Sequence, residues 1–215
     1  MGFFAFLHDR WSVLWFLAYQ HMSVVVQSLV IATAVGILVA VLIYRSPAGA
    51  AAGNAMSAVG LTLPSYALLG ILIAFINSGV TVSVIALAFY GALPILRNSI
   101  VGLRGVDQKL VESARGMGMN RLTILFRLEL PLAWPIIMTG VRVSGQMLMG
   151  VAAITAYVLG PGLGGYIFAG ISRMGGANAT NDIVAGTVGI LVLAVILDVV
   201  LNFLSRVTTS RGIRV

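Results

Sequence analysis

Between residues 22 and 44 the chain carries no charge at all. An uncharged apolar run of that length is what a helix needs to cross the roughly 30 Å hydrocarbon core of a bilayer. Four further stretches qualify: 55–76, also uncharged; 80–96; 132–159, which contains Arg142; and 183–204, which contains Asp198. Charged residues make up only 9% of the chain and mean hydropathy is +1.05. A soluble domain carries about a quarter charged residues, so this chain cannot cover a globular surface with its own polar groups. Lipid must cover it instead. The runs are apolar on every side and do not alternate as lipid-facing strands must, which favours helices over a barrel. The expected fold is all-α: a membrane helical bundle of about five transmembrane helices, one membrane domain over 1–215 with its core at 22–205. Pro64 and Pro94 fall inside spans two and three, where each removes a backbone donor and bends its helix.

The basic residues are distributed unevenly between the spans. Arg45, Arg97, Arg104, Lys109, Arg115, Arg121, Arg127, Arg206, Arg211 and Arg214 fall on one side. Only Arg10 and Arg173 fall on the other, and Arg142 lies within a span. The positive-inside rule puts the first group in the cytoplasm, with the N-terminus outside and the C-terminus inside. The net charge of +7 therefore reads as topology and not as nucleic-acid binding. The aromatics of residues 3–20, interrupted by His8, Asp9, Arg10 and Ser12, suit a helix lying at the outer interface; a sixth, partial span is the alternative. That segment lacks the basic start of a signal peptide, and Phe6 stands where a myristoylation signal needs Ser or Thr. With no cysteine, and with His8 and His21 far apart, no metal site is expected.

The longest polar stretch is residues 97–131. Asp107 is placed to cap a helix carrying Leu110, Val111 and Ala114 on one face. Gly116 and Gly118 break it. Asn120 can cap a second helix carrying Leu122, Leu125 and Phe126, and Pro131 marks the start of span four. Such a pair could be gripped by a peripheral motor, or could be an amphipathic connection resting on the membrane. The residues alone leave both open.

Glu112-Ser113-Ala114, then Gly118, then Leu128-Glu129-Leu130-Pro131 resembles the EAA loop of ATP-binding-cassette (ABC) importer permeases. The family pattern is E-A-A, three residues, G, nine residues, then I-x-L-P, and the spacing here is the same. Ser113 replaces an Ala and Leu128 the Ile. The resemblance implies a loop that docks into a cleft of an ATP-binding subunit, with Glu112 meeting that partner and Gly118 permitting the turn. Thr62-Leu63-Pro64-Ser65, Leu93–Asn98 and residues 160–171 are similar to the osmoprotectant branch, which moves glycine betaine, carnitine or choline. Pro161 and the short Asn77-Ser78-Gly79 turn depart from that branch. The implied partners are an ATP-binding subunit dimer, a second permease subunit of the same or another kind, and an extracytoplasmic solute-binding protein. ATP and Mg would be bound by the ATPase subunit, with no cofactor on this chain. A methionine or other amino-acid importer is the nearest rival. A secondary transporter or channel, or a membrane assembly scaffold, would leave the loop unexplained.

Charges within spans are functional candidates. Arg142 and Asp198 lie roughly 14 and 12 Å from the basic ends of their spans at 1.5 Å per residue. At equal depth they can pair and lock span four to span five; otherwise Arg142 snorkels and Asp198 meets water. Thr62, Ser65, Tyr66, Ser144 and Gln146 are the polar candidates for a solute path. The small pairs Ala32/Gly36, Gly140/Ser144 and Ala185/Gly189 suit close helix packing. The glycines of residues 160–164 lack the G-x-x-x-x-G-K-[ST] pattern of a phosphate loop and read as flexible backbone at the outer mouth. No nucleophile–base arrangement is visible, so no covalent chemistry is expected.

Overall fold

The computed structural model describes residues 2–209, so Arg211 and Arg214 lie outside the described residues. Helices α1 (Phe3–Asp9) and α2 (Trp11–Ile43) lead into α3 (Pro47–Thr62) and α4 (Ser65–Phe75). Then come α5 (Gly79–Arg104), α6 (Gln108–Gly116) and α7 (Arg121–Ile124). They are followed by α8 (Leu130–Ile154), α9 (Gly164–Ser172) and α10 (Ala179–Thr208). Among the described residues four helical segments are long and apolar enough to cross a membrane: α2, α5, Arg121–Val158 and α10. The bundle is built around α5, which packs along α2 and α8, with α3 and α4 on its flank and α10 against α8 and α9.

The stretch 55–76 is not one straight span. It divides at Leu63-Pro64, where α3 and α4 meet at 90°. Proline disfavours helix in the residue before it, and Leu63 is extended with ψ 129°. The carbonyl freed at Leu63 accepts a 2.8 Å hydrogen bond from the Tyr90 hydroxyl of α5. Pro94 does the opposite: it stays inside α5, and its carbonyl accepts from the Asn98 amide at 2.8 Å.

The N-terminal segment also differs from expectation. Residues 11–20 are the first turns of α2, whose 33 residues span roughly 50 Å, well beyond a hydrocarbon core. Only Phe3–Asp9 forms a separate helix, and it packs on the protein through Phe6, which is buried edge-on against Tyr166. Trp11, Trp15 and Tyr19 remain exposed at that end of α2. Residues 164–172, outside the five expected spans, form α9, packed on α10 with Gly186 and Gly189 against Tyr166, Ile167 and Leu163. Small residues do let helices approach closely: a Cβ on Gly36 would stand 2.9 Å from Ile95 Cγ2, and one on Gly140 2.8 Å from Asn98 Cβ.

Candidate functional site

Polar capping builds the loop between α5 and α8. The Asp107 carboxylate accepts from the Lys109 amide at 2.9 Å and starts α6. Asn120 Oδ1 accepts from the Thr123 amide at 2.8 Å and starts α7. Between them Gly118 has φ +83°, the left-handed region that glycine enters without a Cβ penalty. A Cβ there would touch nothing within 4 Å, so the need for glycine is conformational and not one of space. Val111 and Ala114 of α6 are buried with Val106 and Ile124, and Leu128 packs against them. Glu112 and Ser113 face out, and the Ser113 hydroxyl turns back to the Lys109 carbonyl. Met117, Leu122 and Phe126 expose about two thirds or more of their surface. The loop thus packs on its inner face and presents Glu112 and three large apolar side chains outward.

Sequence reasoning ends the second loop helix before span four. In the structure α7 runs through a π-helical turn, Leu125–Glu129, directly into α8. Leu130 and Pro131 lie in the first turn of α8, directly after the π-helical turn. Arg121–Val158 is one continuous 38-residue helical segment.

That turn carries a cluster that the sequence does not announce. The Glu129 side chain is 6% exposed. It accepts from the Tyr44 hydroxyl at 2.6 Å and from Arg45 Nη2 at 3.0 Å, while Arg45 Nε donates to the Tyr44 oxygen at 2.6 Å. Burial alone would lower the Arg45 pKa, but the hydrogen bond and charge of Glu129 outweigh it and hold it above the ordinary arginine value. The cluster ties the end of α2 to the start of α8. The adjacent dipeptide Tyr44-Arg45 at the end of an apolar run, with one acid just before a span, was the available signal.

Arg142 and Asp198 meet: Arg142 Nη2 stands 3.0 and 3.2 Å from the two Asp198 oxygens, and Nε 3.3 Å from Oδ1. Gln146 Nε2 donates to Asp198 Oδ1 at 2.9 Å. Ser144, one helix face away, does not join them. It is fully buried, with its hydroxyl on the Gly91 carbonyl at 2.7 Å, and it pins α8 to α5 where a solute cannot reach it. Thr62 is exposed and its hydroxyl bonds its own helix at Val59. Ser65, at the first turn of α4, is half-buried. Tyr66 stands edge-on to Tyr157, ring centroids 5.4 Å apart, and both are exposed. Nothing in the sequence around Tyr157 signals that pairing. At the end opposite the loop, Arg173 and Asp182 pair at 3.1 Å, and buried His21 donates from Nε2 to the Met149 carbonyl at 3.1 Å.

Apolar helices of membrane-crossing length, one broken pair, and a glycine-hinged loop exposing an acid and apolar side chains define a membrane-embedded protein with a folded loop at one end of its helices. Residues 11–210 match the family described as Binding-protein-dependent transport system inner membrane component, and the chain belongs to that family. It is a multi-pass membrane permease subunit of a transport system. It is 35% identical over 211 residues to the choline transport system permease protein OpuBB of Bacillus subtilis (strain 168), covering 97% of this chain and 94% of that one. It is 34% identical over 214 residues to the osmoprotectant import permease protein OsmW of Salmonella typhimurium, covering 97% and 98%. Among solved structures, the inward-facing MetNI methionine ABC transporter has a chain of the same fold, with TM-score 0.76, 21% identity, and coverage of 93% and 99%.

Proposed function

We propose that this chain is the transmembrane permease of an ABC importer for a quaternary ammonium osmoprotectant of the glycine betaine, carnitine or choline type. The observation that carries the solute class is a full-length likeness to permeases named for those solutes. Two permease subunits pair, an ATP-binding subunit docks under each, and a solute-binding protein delivers cargo from outside. The N-terminus is outside and the loop end cytoplasmic, as the excess of arginines at the loop end supports. Glu112, Ser113 and Gly118 lie in the part of the loop that enters the ATP-binding subunit, while Ala114, expected from the sequence to share that role, is buried on the inner face and packs the loop. Leu128, Leu130 and Pro131 anchor it to α8. ATP binding draws the loops together, α7 and α8 carry the movement inward, and the path opens alternately to each side. ATP and Mg stay on the partner, and this chain supplies passage and not covalent chemistry.

The test is reconstitution of the complete complex, with the neighbouring ATPase and binding protein, in proteoliposomes. ATP-dependent uptake of labelled glycine betaine, carnitine or choline is expected. Uptake of methionine alone would overturn the solute class. Solute movement by this chain without an ATPase would overturn the importer.

A further inference from the structure

The exposed stripes of the long helices differ in chemistry. On α2 the exposed side holds Val26, Val30, Val35, Leu38 and Leu42, with one polar side chain, Gln27, turned onto the Ser23 hydroxyl. On α10 it holds Val188, Leu191, Val195 and Val199. Both suit lipid or an apolar partner helix. The exposed stripe of α8 does not. Thr139, Val143, Gln146, Gly150 and Tyr157 follow one another at helical spacing along one side, and beyond Gly150 lies open space. At the outer end the stripe finishes on the exposed Tyr66–Tyr157 pair. Tyr66 belongs to the helix that begins just after the break at Leu63-Pro64, and discontinuous helices in transporters commonly mark a solute site. Roughly 16–22 Å further in, at the helical rise, lies the Arg142–Asp198–Gln146 cluster, of which Gln146 is part of the stripe.

That cluster is half open. The side chains of Arg142 and Asp198 are 37% and 30% exposed, in the middle of helices that cross the bilayer. Such charges facing hydrocarbon are costly and are found facing bundle interiors or water-filled cavities. The face that carries them is therefore turned to water or to protein.

We propose that the exposed stripe of α8 is the wall of the solute path, and that Arg142, Asp198 and Gln146 form a mid-membrane station for a zwitterion. This rests on the importer reading above. A trimethylammonium carboxylate carries two opposite charges on one small frame. Its carboxylate replaces Asp198 on the Arg142 guanidinium, its cationic head lies against the Asp198 carboxylate, and Gln146 hydrogen-bonds the carboxylate oxygens. The protein's own ion pair closes the station when it is empty, so neither charge is left bare in the membrane. The exposed tyrosines attract the cationic head first, through their ring faces. Choline, a cation without a carboxylate, satisfies only Asp198 and is held less well.

The chain has no cysteine, so a single introduced thiol reports its own surroundings. In the complete complex in nanodiscs, with binding protein in excess and with and without ATP, the Gln146→Cys variant is treated with a water-soluble trimethylammonium methanethiosulfonate. Val188→Cys, on the apolar stripe of α10 and roughly 15 Å along the helix from Asp198, serves as control. The Gln146→Cys variant is expected to label in at least one nucleotide state, and saturating glycine betaine is expected to slow labelling severalfold, while sucrose leaves it unchanged. The Val188→Cys variant is expected to stay unlabelled. A Gln146→Cys variant that is inert in both states, or labelled without protection by glycine betaine, overturns the station. As an independent measure, the paired apolar replacement Arg142→Met with Asp198→Leu removes both charges without leaving either unpaired. Uptake of glycine betaine is expected to fall at least tenfold in complexes of normal composition, and wild-type uptake would overturn the proposal. A wild-type complex that imports no quaternary ammonium solute refutes the importer's assigned cargo instead, a result separable from thiol labelling in the Gln146→Cys variant.

Discussion

Replacing Glu129 with leucine removes the acceptor that joins the end of α2 to the π-helical turn before α8. Two hydrogen bonds are lost, at 2.6 Å from Tyr44 and 3.0 Å from Arg45. Bonds to a charged group are worth about 1.5–3 kcal/mol each. Stripping one partner from a fully buried ion pair costs about 3–5 kcal/mol. Here the Glu129 side chain is 6% exposed but that of Arg45 is 39% exposed, so the abandoned guanidinium recovers part of its hydration. The expected loss is therefore about 2–4 kcal/mol. Glu129→Gln keeps an acceptor for the buried Tyr44 hydroxyl and should lose only about half as much. Equilibrium unfolding in mixed micelles reads these differences. A cycle of Tyr44→Phe with Glu129→Leu, each of which removes the bond, isolates it, with an expected coupling of about 1 kcal/mol. If the two effects add within about 0.3 kcal/mol, the cluster is not the clasp described here and the reasoning fails.

Gly118→Val forces a branched side chain to φ +83° and should distort the loop turn at a local cost of about 2 kcal/mol. Severalfold less ATP-binding subunit should then co-purify, while Gly116→Ala, also with nothing within 4 Å of its Cβ, leaves the yield intact. Gly36→Leu drives a side chain into Ile95 and the Ala92 carbonyl, an overpacking worth about 1–3 kcal/mol; Gly70→Leu, beside open space, should unfold at the wild-type denaturant concentration. Lys109→Cys should react with an impermeant thiol reagent only from the cytoplasmic side and Ser78→Cys only from the other. The reverse pattern would invert the topology.

Much of this was readable in the chain because burial in lipid simplifies the code. Four long segments follow from uninterrupted apolar runs, and the caps Asp107 and Asn120 act where their side chains suggest. The failures share one cause: local rules cannot see neighbours. Pro64 and Pro94 read alike, yet one ends a helix and the other does not. At Leu63 a partner from another helix, Tyr90, supports the broken carbonyl, whereas Pro94 stays in a continuing helix whose own Asn98 bonds its carbonyl. Residues 164–172 are too short and too glycine-rich to signal a helix of their own. Gly164 and Gly170, with Gly186 and Gly189 of α10, are what let α9 seat closely. Glu129 reads as a letter in a loop pattern, while its burial depends on Tyr44 and Arg45 from the far end of α2. Of the path candidates, only Tyr66 and Gln146 have neighbours that fit a solute role, and Tyr157 joins them through folding alone.

The absence of a break between α7 and α8 bears on how the proposed importer would work. A hinged connection would absorb a displacement of the loop. A continuous helix from Arg121 to Val158 cannot be compressed, so a shift imposed at α7 must reappear along α8. Ser144 on Gly91 binds α8 to α5 in mid-bundle, and Glu129 holds its base to the end of α2. Both ties lie on the inner side, while the Arg142–Asp198 pair and the Tyr66–Tyr157 pair lie on or beside the exposed side. The rod can therefore rock about its inner ties only by moving its exposed face. The contacts that such rocking alters most are the half-open ion pair and the outer aromatic pair, the two places proposed to meet the solute.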